Sequence, residues 1–273
     1  IKALHENIPS VRERAAQVLL QKRHQKGNMA LVQQMHNLPD PLVNVMKEQY
    51  SIFTRVAVEA LRGFERQGRL NAVIYLGHVG LAVHAISLTP LLSMDDKEIR
   101  EATIDSLEKL VKKGFLASAA SAKTSKNKTS AGSDEKLLRG ALEDSLRHFN
   151  VHRSTKILKL LLQFGTKTYT NLFAHIRAQD NVGKALGEII AQEGDVHSMA
   201  LLMNMFVSED SDLEVQARVL MSEMDQEKLI QSIVNFINTR DEELLAQLGS
   251  RLMDVPFWPV LEGNFEKLEA GFV

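Results

Sequence analysis

The sequence predicts an all-α fold: a right-handed α-solenoid (α-α superhelix) of stacked helix pairs. Three observations predict it. First, one nine-residue pattern recurs, in Val11–Leu19 (VRERAAQVL), Phe53–Leu61 (FTRVAVEAL), Ile99–Leu107 (IREATIDSL) and Leu138–Leu146 (LRGALEDSL). The starts are 42, 46 and 39 residues apart, the spacing of two-helix units that stack because one unit alone has too little core. Second, no stretch alternates apolar and polar residues long enough to suggest a sheet. Third, the six prolines are scarce and mostly punctuate, so long runs are left open to helix.

Composition narrows the function classes. A chain of 273 residues with 44% hydrophobic content can fill a large core or a linear one. A net charge of −1 gives no reason to expect nucleic-acid or membrane-surface binding. With no cysteine there is no disulfide framework, thiolate metal site or cysteine nucleophile, and a cytoplasmic setting is expected. The chain opens at Ile1 with no signal-like segment and is expected to be a piece of a longer protein.

The elements follow in order. Pro9 precedes the first helix, and Pro39 and Pro41 bracket a break. Ser10–Glu13, Ser211–Glu214 and Thr239–Glu242 read as capping boxes, and Asp95 as the cap of the Ile99 helix. Gly27, Gly68, Gly114, Gly165 and Gly194 are placed where helices end. Leu70–Met94 contains no Asp, Glu, Lys or Arg and is long enough to span a bilayer. Its Asn71, His78, His84, Ser87, Thr89, glycines and Pro90 instead suit one or two buried solenoid helices, with His78 and His84 as packing histidines. Ala117–Ser133 is small, polar and basic, and is expected to be a flexible insertion. Beyond it the pattern weakens: Val182–Ile190 still fits, while Val215–Glu223 has Glu223 where leucine is expected. The boundaries are then 1–116 for regular repeats, 117–133 for the basic loop and 134–254 for divergent repeats. Residues 255–273 read as a cap or the start of a following domain.

The nonapeptides resemble the second helix of HEAT repeats: Val-Arg, two variable residues, Ala-Ala, one variable residue, Ala-Leu. Val11, Arg12, Ala15, Ala16 and Leu19 match it, as do Ile99, Arg100 and Leu107 with Asp96 ahead of them. Phe53 and Thr54 depart from Val-Arg, and Glu143 stands at an expected apolar position. The resemblance implies a solenoid that binds partners along a concave surface lined by second helices. It also implies that Arg12, Arg100 and Arg139 form a ladder to carboxylates and carbonyls between repeats. Independently of it, the first, fifth, eighth and ninth positions of each copy share one helical face and are mostly apolar or small. Ala15, Ala57, Ala102, Ala141 and Ala185 would let neighbouring helices approach closely.

The seventh position is the informative polar one. The copies carry Gln17, Glu59, Asp105, Asp144, Glu188 and Met221 there. The first five are the candidate partner-binding residues, because a line of carboxylates attracts a basic protein segment and repels nucleic acid. Arg62, Lys109 and Arg147, one turn away, dilute the line. Asp144, His148 and His152 have metal-ligand spacing only if one helix carries all three, and Phe149–Val151 reads as a helix boundary. No phosphate loop, nucleophile elbow, His-Glu-x-x-His or dinucleotide turn is present. No enzyme activity, cofactor or metal is expected.

The expected function is a non-catalytic scaffold that docks a protein partner, with no nucleic acid and no membrane span. Two alternatives remain. One is a regulatory module of a larger protein, since Val255–Leu261 and Phe265–Leu268 look slightly like the entry helix of cyclic-nucleotide-binding domains. The other is a DNA-gripping enzyme that resembles the HEAT-like glycosylases, which the neutral charge, the single Trp258 and the acidic positions disfavour.

Overall fold

The computed structural model describes residues 1–63, 65–123, 128–237 and 248, and the side chains of 117–131 lie outside the described part. The described residues are overwhelmingly helical, with no strand among them. In chain order the helices are α1 (Pro9–Lys22), α2 (Gln25–Gln33), α3 (Asp40–Glu48), α4 (Tyr50–Leu61) and α5 (Arg66–Val79). They continue with α6 (Ala85–Leu88), α7 (Lys97–Lys123), α8 (Lys128–Ser145), α9 (Phe149–His152) and α10 (Thr155–Leu162). The remainder are α11 (Tyr169–Ala178), α12 (Asp180–Glu193), α13 (Val196–Phe206), α14 (Ser211–Glu223) and α15 (Gln226–Ile237). The chain divides into two compact units, Ile1–Ile157 and Leu158–Val273.

Helix starts are capped one or two residues away from where the sequence suggested. Pro9 sits at the first position of α1, so Ser10 is inside the helix and makes no cap; Ile8 is the N-cap. Asp96, not Asp95, accepts from the Ile99 N–H at 3.1 Å. Asp210, not Ser211, caps α14 by accepting from Asp212 and Leu213 N–H. An aspartate carboxylate outcompetes the serine hydroxyl beside it because the helix end favours negative charge. The Thr239–Glu242 box and the 255–273 segment lie outside the described residues.

Gly194 closes α12 at φ +57° and Gly165 follows α10 at φ +63°, both as helix-end signals. Gly27, Gly68 and Gly114 instead lie inside helices. There a Cβ would stand 3.0 Å or less from Leu19, Gln33 and Leu138 respectively, so these three serve close packing. Ala117–Ser133, expected as a flexible insertion, carries α7 on to Lys123 and starts α8 at Lys128, with 124–127 outside the description. Alanine-rich sequence forms helix without needing burial.

In the first unit, contacts along α5 fix the direction of its neighbours. Arg66, at its start, pairs with Asp96 (2.5 Å) and Glu98 at the start of α7. Further along, Ser106 Oγ donates to the Val73 carbonyl at 3.0 Å, and Lys113 Nζ donates to that of His78. The contacts advance together, so α5 and α7 are parallel. By contrast, α4 is antiparallel to α5. Arg69 donates to the Leu61 and Gly63 carbonyls at the end of α4, and Tyr75 meets Phe53 near its start, ring centroids 6.3 Å apart. Two copies of the nine-residue pattern, α4 and α7, thus run in opposite directions. The uncharged stretch makes this possible. Its first half is the buried part of α5; its second half, short helical turns from Ala82 to Ser93, returns the chain to the start of α5. Among the described residues no helix is long and apolar enough to cross a membrane.

Leu76, Leu88, Leu92, Leu107, Leu110, Leu142 and Phe149 are buried at the centre of this unit. Each such side chain contributes roughly 1.5–3 kcal/mol by leaving water. In the second unit, α12, α14 and α15 each pack on α13, which contributes Met199, Leu202, Met203 and Phe206, all fully buried. Lys228 Nζ donates to the Ala191 and Gln192 carbonyls, satisfying the orphan end of α12 from a different helix.

Candidate functional site

Burial of the pattern positions is regular in four copies. The first, fifth, eighth and ninth positions are Phe53, Ala57, Ala60 and Leu61 in α4, and Ile99, Thr103, Ser106 and Leu107 in α7. In α8 they are Leu138, Leu142, Ser145 and Leu146, and in α12 Val182, Leu186, Ile189 and Ile190; all sixteen are buried. The seventh positions, Glu59, Asp105, Asp144 and Glu188, are all exposed. A residue two positions from both the fifth and the ninth points away from the face they share.

The first and last copies depart from this. Val11 and Val18 are 37% and 39% exposed, and α1 buries Ala16 and Leu20 instead. Its best-matching sequence is therefore rotated by one residue, because the turn before it, α2 and α3 supply its contacts. Gln17 is half-buried and accepts from Arg14 Nη1 at 3.2 Å. In α14 the buried set is Leu213, Ala217 and Met221, so the seventh position itself turns inward.

The first-unit candidates differ in setting. Asp105 lies on α7, antiparallel to the helix that carries Glu59. It is also neutralised by Lys156, 2.9 Å away and from α10. Asp144 pairs with Arg147 at 3.2 Å, one of the diluting cations seen in the sequence. Glu188 stands on α12 in the second unit with no ion pair among the described residues. Glu59 keeps the most open setting in the first unit. It accepts from the uncharged Gln25 Nε2 at 3.3 Å and has no ion pair among the described residues.

Glu59 also borders two clefts. One, of about 330 Å³, is lined by Met29, Gln33, Ala60, Arg62, Glu65 and Gly68. The other, of about 280 Å³, is lined by Arg23, Gln25, Asn28, Ser51, Ile52 and Arg55. Sequence reading missed these clefts because α2, which forms the far wall of both, belongs to no copy of the pattern. Both clefts are lined by polar and charged side chains together with Met29 and Ala60 in one and Ile52 and Val56 in the other. That arrangement can hold side chains of an extended segment around a carboxylate.

The arginines expected to form a ladder do something more local. Arg12 Nη1 donates to the Glu6 carbonyl at 3.2 Å, Arg100 Nη1 donates to that of Met94, and Arg139 pairs with Glu143 one turn on. The long-range ties come from other cations: Arg66 to Asp96 and Glu98, Lys156 to Asp105, Lys159 to Glu193, and Arg177 to Asp210 at 2.8 Å.

The histidines separate by environment. His152 Nε2 donates to the Ser145 carbonyl and its Nδ1 accepts from the Ser154 N–H at 3.0 Å, so both ring nitrogens are engaged. Burial, partly offset by the Ser145 carbonyl, keeps its pKa below the usual value, and His148 and Arg100 add to the lowering. The break at Leu146–His148 takes His148 out of line with Asp144. Among the described residues no three His, Asp or Glu side chains group as metal ligands. His84 is half-buried, and its Nδ1 accepts from the Leu81 N–H at 2.8 Å. His78, expected to pack inside, is exposed instead, because α5 ends within two residues of it.

No family model matches the chain, and no curated protein sequence matches it. Among solved structures, the crystal structure of an engineered protein aligns over 85% of this chain and 95% of its own. It does so at 15% identity and a TM-score of 0.25, too slight a likeness to carry an argument.

Proposed function

We propose that this chain is a cytoplasmic, non-catalytic protein-interaction scaffold, a HEAT-like α-solenoid that docks a basic segment of a partner at its exposed acidic positions. The supporting observation is the pairing of sixteen buried pattern positions with an exposed carboxylate at the seventh place of the same four helices. A carboxylate at this exposed place in all four helices is not needed for packing. Glu59 is the anchor in the first unit, since it makes no ion pair among the described residues and is flanked by two clefts, although Arg23, Arg55 and Arg62 in their walls dilute its charge. Glu188 is its counterpart in the second. Asp105 and Asp144 contribute less, because each already has a basic partner. Electrostatics would set the association rate, and the clefts would set the dwell time.

The test is fluorescence anisotropy with lysine- and arginine-rich peptides that carry interspersed aliphatic residues. Wild type is compared with Glu59→Lys and Glu188→Lys, each first shown to have unchanged helicity and melting. Binding that weakens at least about tenfold in Glu59→Lys and declines with salt supports the proposal. Absence of binding at low salt, or equal binding by the folded variants, overturns it.

A further inference from the structure

A second surface of the first unit has the opposite charge. His78 lies at the exposed end of α5, where Lys113 Nζ donates to its carbonyl. Lys109 lies one turn before Lys113 on α7 and is exposed on the same side of that helix. Lys47 arrives from α3, because Tyr75 Oη donates at 2.8 Å to the carbonyl of Met46, the residue before it. Three elements far apart in sequence thus bring cations together around one histidine.

Large apolar side chains are exposed within a few residues of these cations along the chain. Leu81 is 58% exposed just past His78, Leu116 is 71% exposed one turn after Lys113, and Tyr50 is 51% exposed three residues after Lys47. Exposed apolar surface rimmed by polar residues marks an interaction site where it is contiguous. Glu48 is the acidic residue beside Lys47, and Glu108 is already taken by Lys112 at 2.6 Å. The positive field is felt inside the cluster. Although the residue is exposed as a whole, partial desolvation of the His78 ring lowers its pKa first, and Lys109, Lys47 and Lys113 lower it further. Burial lowers that of Lys113 as well.

We propose that the surface formed by Lys47, His78, Lys109 and Lys113 with Tyr50, Leu81 and Leu116 docks an acidic protein segment that carries large apolar side chains. Charge complementarity selects the occupant. A basic segment is repelled here, and nucleic acid has no use for exposed leucines. An anionic membrane is better served by one long amphipathic helix than by apolar residues at the ends of three separate elements. Lys113 spends one of its three donors on the α5 carbonyl and keeps two for a carboxylate. This surface is distinct from the Glu59 clefts, and its occupant has the opposite charge, so the two proposals stand or fall separately.

The experiment uses the whole chain and a fluorescein-labelled helical peptide with Glu at most polar positions and Leu or Phe at i, i+4 spacing. The same peptide with Lys in place of Glu, and vesicles with and without phosphatidylserine, are the comparisons. The expected result is binding of the acidic peptide alone, weakened at least about tenfold by Lys47→Glu with Lys109→Glu. Neither lysine anchors a long-range contact, so that double variant should melt with wild type. An NMR titration of His78 adds an independent readout: saturation with the acidic peptide raises its pKa. Preference for the basic peptide, stronger binding to phosphatidylserine vesicles, unchanged affinity in the double variant or an unmoved His78 titration each overturns the proposal.

Discussion

Gly77 and Ser106 mark the tightest approach of α5 and α7. A Cβ at position 77 would stand 2.5 Å from Ser106 Oγ and 2.8 Å from its Cα. The same hydroxyl donates to the Val73 carbonyl at 3.0 Å, so it cannot swing aside without breaking a buried hydrogen bond. The parallel pairing of the two helices, and with it the place of Asp105 and Lys113, depends on this contact.

Gly77→Ala should therefore destabilise the protein although alanine is the better helix former. Alanine gains up to about 1 kcal/mol of propensity, while overpacking against backbone costs about 1–3 kcal/mol. Gly140→Ala is the control: that glycine is exposed in α8 with nothing within 4 Å of a new Cβ. It should stabilise by about 0.5–1 kcal/mol. Urea titration of the two variants gives opposite signs; equal signs would refute the close approach.

Asn71→Ala should cost about 2–4 kcal/mol, since it orphans buried partners as well as deleting bonds. Asn71 is 1% exposed, and its Nδ2 donates to the Val32 and Gln33 carbonyls at 3.1 and 2.8 Å, closing the end of α2 from α5. Calorimetry checks this, and a loss under about 1 kcal/mol would mean that those carbonyls find other donors.

Asp96 joins two jobs, capping α7 and pairing with Arg66. Arg66, and then the Ile99 N–H, hold its carboxyl below the usual carboxylate range. A depressed carboxylate contributes stability above its unfolded pKa, near 3.9, and loses it as pH falls through the folded value. Asp96→Asn, which keeps an oxygen for the cap, should lower the melting temperature at pH 7 and approach wild type below about pH 4. Asp95→Asn, which removes neither contact, should melt with wild type at pH 7.

His152 works in the same sense at higher pH. Its folded pKa is below the ordinary 6.5, so the unfolded chain binds the proton more readily. Stability contributed by the neutral ring is present above about pH 6.5 and is lost as pH falls through the folded value. His152→Gln should flatten the decline in melting temperature between pH 7 and pH 5. The Ser145 and Ser154 contacts require the Nε2–H tautomer, which nitrogen NMR can observe directly; a dominant Nδ1–H form would contradict the geometry.

Helical character and the buried faces of α4, α7, α8 and α12 were determined by the sequence itself. Burial at the first, fifth, eighth and ninth places follows from 3.6 residues per turn, a local property that a nine-residue window contains. Even so, the window misled at Val11–Leu19, where the strongest match to the pattern belongs to a helix that neighbours outside the pattern rotate. The capping residues were legible to within two positions, because candidate caps such as Asp95 and Asp96 or Asp210 and Ser211 stand side by side and only backbone geometry chooses between them. Tertiary structure alone decided that α7 runs against the direction of α4, that Lys156 pairs with Asp105, and that Lys47 and Lys109 both come near His78. Each depends on how the chain returns between Gly80 and Asp96, and hydrophobic periodicity says which face of a helix is buried but not which way its neighbour runs.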